Sequence, residues 1–290
     1  MFKFFANIFG YVLNFIYGLV NNYGLAIIIF TILLRLILLP MNLKQQKTMK
    51  KSAKIQVKMK DLQDKYSNDP VRLNEEIRNL YAEEHMNPLS GCLSSILQII
   101  IIISIFYLVS NPLTYMKHLS ANKIKEYTKI VKEENSGQNV NYIEIAIIKS
   151  LGKTEKDVQL NMNFLRLDLS DVPSKNYKDI KVFIIPILYV STSILSMRLN
   201  TAMMEQKKKK DDNDKVINAK KEDEKLVKVN KDEEEDAMAS MGKSMRYMMP
   251  IMTVSIALIA PLGLALYWFV SNLLMILERL LVNKFVKEEE

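Results

Sequence analysis

The sequence predicts an all-α integral membrane protein with five transmembrane helices, an N-terminal interfacial helix and a cytoplasmic helical hairpin. Three observations carry this. Hydrophobic residues make up 49% of the 290-residue chain and are gathered into long apolar runs. The 40 lysines and arginines, which leave a net charge of +8, sit between those runs, as in a chain that crosses a bilayer repeatedly. The breaks fall at turn signals, namely Asn87-Pro88, Asn111-Pro112 and Pro261-Leu262-Gly263.

A basic chain can also be a nucleic-acid binder, but the lysine-rich segments here hold few aromatics, so no specific nucleic-acid contact is expected. Cys92 is the single cysteine, which excludes an intramolecular disulfide framework. With His85 and His118 the only histidines, no Cys/His set suggests a metal site, and no cofactor is expected. There is neither a Gly-rich phosphate loop nor a nucleophile elbow, so an enzyme is not expected either.

Residues 1–22 begin with MFKFFANIFGYVLNFIYGLV, whose only positive residue before Tyr23 is Lys3 and which shows no small-x-small cleavage site. Phe5, Ile8, Phe9, Val12, Leu13, Ile16 and Leu19 recur at helical spacing while Asn7, Asn14 and Gly18 mark a weaker face. This fits an amphipathic helix lying on the membrane; a full span is the competitor. Residues 23–40 form the first span, which ends at Pro40 and holds one charge, Arg35. A lone cation in a hydrocarbon core costs several kcal/mol unless something accommodates it.

The lysines of MNLKQQKTMKKSAKIQVKMK follow the first span and mark the cytoplasmic side, which puts the N-terminus outside. Within 41–88, Ile55, Met59, Leu62 and Tyr66, then Leu73, Ile77 and Leu80, repeat at helical spacing on either side of SNDP, a helical hairpin. The second span covers 93–110. Residues 111–179 form an extracytoplasmic segment, and 180–198 form the third span. The charge blocks KKKKDDNDK and KDEEED make 199–244 a solvated, disordered cytoplasmic loop. The charge-free run 247–277, flanked by Lys243, Arg246, Lys284 and Lys287, must turn back at Pro261, giving spans at 246–260 and 264–283. Residues 284–290 are a cytoplasmic tail.

Three stretches then carry a resemblance. YGLAIIIFTILLRLILLPMNLKQQKTMK, LNEEIRNLYAEEHMNPLSGCL and YMMPIMTVSIALIAPLGLALYWFVSN closely resemble, in order, the signature regions of the YidC/Oxa family of membrane protein insertases. Ser94 departs from the family's usual proline after Gly-Cys-Leu, and Glu288, Glu289 and Glu290 replace a basic tail.

The resemblance implies a hydrophilic groove within the bacterial plasma membrane, open to the cytoplasm and to lipid, with Arg35 facing it to hold acidic stretches of nascent membrane proteins. It also implies membrane lipids, the ribosome and the Sec translocon as partners, and an acidic tail makes tail-mediated ribosome docking unexpected. Gln98, Ser196 and Asn272 could complete a wet lining, although such residues more often make helix-to-helix hydrogen bonds. Trp268, the only tryptophan, lies inside the fifth span, where core packing and client contact compete. A snorkelling Arg35 is the plain alternative for that residue. The functional rival is a small-anion transporter with Arg35 as counter-charge, though no internal repeat is visible.

Overall fold

A computed structural model describes residues 1–67, 69–84, 88–134, 142–199 and 251–287. The charged loop 199–244 from Asn200 on, residues 246–250 of the expected fourth span and the acidic residues Glu288, Glu289 and Glu290 lie outside the described residues. The chain divides into two compact units. The first takes Met1–Leu39, Ile96–Ser193 and Met252–Glu290; the second takes Pro40–Ser95 and Ile194–Ile251.

The architecture is helical, as the apolar periodicity predicts. Helix α1 is Phe2–Val20 and α2 is Tyr23–Lys65. Then come α3 (Pro70–Glu83), α4 (Pro88–Ser110), α5 (Pro112–Tyr115), α6 (Ala121–Glu134) and α7 (Ile143–Leu151). Helix α8 covers 184–199, α9 is described over 251–259, and α10 is Leu262–Lys287. Among the described residues, four helices are long and apolar enough to cross a membrane: Phe2–Val20, Tyr23–Gln46, Ile180–Leu199 and Leu262–Leu281; Ile96–Ser110 is a shorter apolar helix. The protein is a multi-pass membrane protein.

Helix α2 continues through Pro40, where the sequence reading ends the first span. Lys, Gln, Met and Leu dominate the following residues and favour helix strongly enough to carry it past one missing backbone bond. Helix α1 also meets the length and composition of a span, although its polar face suggested a surface helix. The rest of the expected hairpin is present in the second unit: Asp69 caps α3 by accepting a hydrogen bond from the Arg72 N–H at 3.0 Å, and Lys58 pairs with Glu84.

In the first unit, the buried stripe of α1 (Ala6, Gly10, Leu13 and Ile16) packs on α5. The approach is so close that a Cβ on Gly10 would lie 1.8 Å from the Tyr115 carbonyl oxygen. The segment 111–179, expected only as an extracytoplasmic connection, adds Tyr127, Val131, Ile145, Ile147, Ile148 and Val158 to the one hydrophobic cluster that it shares with α1, α2 and α10. A two-stranded hairpin, β1 (Asn163–Phe164) and β2 (Leu167–Asp168), completes it. Its two-residue tip, Leu165-Arg166, has φ of 48° and 65°, the positive values that a type I′ turn demands. Phe164 fills the space beside Gly24 at the start of α2, and Asn161 donates its side-chain N–H to the Asn21 carbonyl at 2.9 Å. The segment is thereby tied to the junction of α1 and α2.

Candidate intramembrane site around Arg35

Helices α2 and α10 start at one level and run in the same direction. Near their starts, Gly263 faces Tyr23 and Ile27, with 3.5 Å and 3.8 Å left for a Cβ. Eight residues on in each chain segment, about 12 Å by helical rise, Ile27 has become Arg35 and Gly263 has become Ser271. There the guanidinium is held. Arg35 Nη2 donates to Ser271 Oγ at 2.7 Å and to the Ser271 carbonyl at 3.1 Å, and Nη1 lies 3.5 Å from Glu278 Oε2. The two charged side chains are only 17% and 12% exposed.

Ser271 and Glu278 are seven residues apart, two helical turns, so one face of α10 carries both. Arg279, next in sequence, is close enough to interact electrostatically with both Arg35 and Glu278, and its guanidinium rests on Met275 Sδ at 3.4 Å. Two guanidiniums and one carboxylate leave the cluster with one positive charge in excess. A pair removed from water attracts more strongly than in bulk solvent and loses much hydration, so geometry and the added Ser271 bonds decide its worth. Arg35 therefore does not extend alone towards the interface; a neighbouring helix satisfies it inside the span.

The other expected lining residues are distributed differently. Trp268 is half-buried and packs at a tilt on Tyr189 of α8, ring centroids 5.4 Å apart. Gln98 on α4 and Asn272 on α10 are half-buried, and neither hydrogen-bonds to Arg35. Ser196 is 5% exposed and belongs to the second unit. Three other hydroxyls within the spans bond to their own helices. Thr31 donates to the Ile27 carbonyl at 2.6 Å, Ser104 to that of Ile100 at 2.7 Å, and Thr192 to those of Leu188 and Tyr189, both at 2.9 Å. Ser271 and Glu278 are the residues that sequence reasoning missed. The available signal was that Glu278 is the first charge after the run 247–277, two turns after a serine.

The profile of the 60Kd inner membrane protein family matches residues 15–289. The chain belongs to this family, the YidC/Oxa family. It is similar to a membrane protein insertase YidC of Treponema denticola, 25% identical over 278 residues, which is 96% of this chain and 37% of that protein. Over shorter stretches it is 40% identical to a YidC of Chlorobium phaeovibrioides, across 99 residues or 34% of this chain and 17% of that protein. It is also 42% identical to a YidC of Francisella tularensis subsp. novicida, across 109 residues, 38% of this chain and 20% of that protein. The matched stretches thus span from 17% to 37% of the length of these relatives.

Proposed function

We propose that this chain is a membrane protein insertase and chaperone, without nucleotide hydrolysis, that receives membrane proteins as they are made. Its energy source is the transfer of a client's apolar residues into lipid, worth tenths of a kcal/mol per strongly apolar residue and accumulating over a span. The observation that carries this reading is Arg35, held inside a span by Ser271 and Glu278 with a second guanidinium beside them. An acidic client tail exchanges with Glu278 on Arg35. The amphipathic α1 lies on the outer surface and the α2–α3 hairpin projects into the cytoplasm, where lysines meet anionic lipid heads and clients arrive, delivered by ribosomes or shared with the Sec translocon. The locale is a bacterial plasma membrane.

The test is a protease-protection assay on the purified chain in liposomes, with an acidic-tailed small membrane protein and a version neutralised in its tail. Insertion of both above the empty-liposome background is expected, with Arg35→Ala impairing the acidic client more than the neutral one. Equal insertion of the acidic client by wild type and Arg35→Ala would remove Arg35 from the mechanism. Flux of small anions without insertion would replace the reading with transport.

A further inference from the structure

A second polar feature lies far from Arg35 in sequence and is unused by the insertion reading. Within the first unit, the end of α1, the α7 terminus and the loop leading to the β-hairpin enclose a cavity of about 580 Å³. Four lysines, Lys117, Lys149, Lys153 and Lys156, line it against a single carboxylate, Asp168. That carboxylate is turned into its own loop: Asp168 Oδ1 accepts from the Ser170 N–H at 2.9 Å and from Ser170 Oγ at 2.6 Å. Lys149 pairs with Asp171, while nearby Asp157 is taken by Lys123. Lys153 and Lys156 line the same opening as Lys117, whose ammonium also lies over the Tyr17 ring, 5.9 Å from its centroid. The buried Ile148, Leu160 and Met162 add an apolar part to the lining.

A cationic lining with an apolar part suits an anion that carries hydrocarbon. The surroundings name the source. The cavity wall includes Tyr17 and Asn21 at the end of α1, and Phe4, Tyr11, Phe15 and Leu19 of that helix are exposed. The hairpin whose base lines the cavity presents Leu165, 80% exposed, beside Arg166 at a tip held at positive φ in two residues other than glycine. Such a conformation costs of order 1 kcal/mol or more per residue and persists where the surroundings or a task maintain it. An exposed leucine beside an arginine is the pairing that dips into an interface while keeping its charge at the phosphates.

We propose that this cavity binds the phosphodiester headgroup of an anionic phospholipid, with α1 and the hairpin tip resting in the same leaflet. Bound there, the lipid clamps residues 112–183 to the membrane surface beside the starts of α2 and α10. The inference stands apart from the insertion reading and does not require it.

The experiment uses the full chain in a zwitterionic detergent and follows its melting temperature as short-chain phosphatidylglycerol, short-chain phosphatidylcholine or inorganic phosphate is added. The expected result is saturable stabilisation by phosphatidylglycerol alone. Each lysine replaced among Lys117→Gln, Lys153→Gln and Lys156→Gln should weaken the apparent affinity roughly fivefold, the scale set by one basic residue at an anionic surface. A control triple on α6, Lys125→Gln, Lys129→Gln and Lys132→Gln, should bind as wild type. Equal stabilisation by both lipids, or equal loss in the control triple, would overturn the site. An equal shift with inorganic phosphate would assign the cavity to free anions and overturn the lipid. If the pocket triple melts too low to titrate, the three single variants give the same comparison.

Discussion

Arg35 on α2 and Glu278 on α10 form an ion pair, 3.5 Å apart, across two helices that start together and run in parallel. The pair joins residues that are remote in the chain and gives a cation inside a span a reason to be there. It also changes what each single substitution does, because removing one partner strands the other.

The first prediction is energetic. Arg35→Ala removes the ion-pair partner of Glu278 while Arg279 stays nearby, and breaking a buried pair costs about 3–5 kcal/mol when nothing compensates. A loss below that range is expected, since Arg279 remains. Glu278→Gln should be milder, because Ser271 still holds the guanidinium. The double variant should recover part of the loss. A double-mutant cycle from melting in detergent should give a coupling above about 0.5 kcal/mol; simple additivity would mean that the pair contributes nothing.

The second prediction uses two glycines of one helix. A Cβ at Gly10 would overlap the Tyr115 backbone, whereas at Gly18 nothing lies within 4 Å. Gly10→Ala should therefore cost about 1–3 kcal/mol through overpacking. Gly18→Ala should add up to about 1 kcal/mol through helix propensity. Denaturation of the two variants side by side checks the docking of α1 on α5, and equal effects would contradict it.

The third concerns pH. Glu144, buried on α7, has its carboxyl pushed above the ordinary 4.5 by burial, partly opposed by bonds from the Thr114 N–H at 2.9 Å and Thr114 Oγ1 at 2.5 Å. The native state then holds its proton more tightly than the unfolded state. Its contribution is fully present below pH 4.5 and is lost as pH rises through the native value. Against Glu144→Gln, wild type should lose stability across that window, and the two profiles should run parallel above it. The exposed Asp157, held below its usual range by its hydrogen bond and ion pair with Lys123, has the opposite sign but is common to both proteins and cancels. A difference that does not vary with pH would rule out the assignment.

The fourth concerns orientation, read from the lysines that follow the first span. In a Cys92→Ala background, a cysteine at Lys153 should react with an impermeant reagent from outside intact cells, and one at Lys58 only after permeabilisation. Reversed labelling would invert the topology.

What was legible in the sequence followed from periodicity and from the switch between apolar and charged segments. Residues 23–40, 93–110 and 264–283 are helical, within longer helices that reach Lys65, begin at Pro88 and reach Lys287, and the chain turns at Asp69-Pro70. Pro40 misled because a single proline is a local signal, whereas helix propensity summed over the next residues outweighs it. The small elements of 112–183 were hidden because each is short and its buried residues pack into a cluster shared with α1, α2 and α10. In the site, Arg35 announced itself as the lone charge of its run. Its partners did not, since nothing in either segment encodes the register between α2 and α10. That register rests on Gly263 meeting Tyr23 and Ile27, a contact visible only when the chain is folded.

The proline inside α2 has a consequence for the level of Arg35. With no N–H at Pro40, the Leu36 carbonyl has no helical partner, and the division between the two compact units falls at the same place, between Leu39 and Pro40. An unbonded carbonyl in hydrocarbon costs several kcal/mol, so that oxygen calls for hydration at the residue next to the cation. The backbone itself thus favours a thread of solvent reaching into the span from the side of the lysines. A polar segment arriving at Arg35 would exchange one hydrated setting for another instead of leaving water all at once.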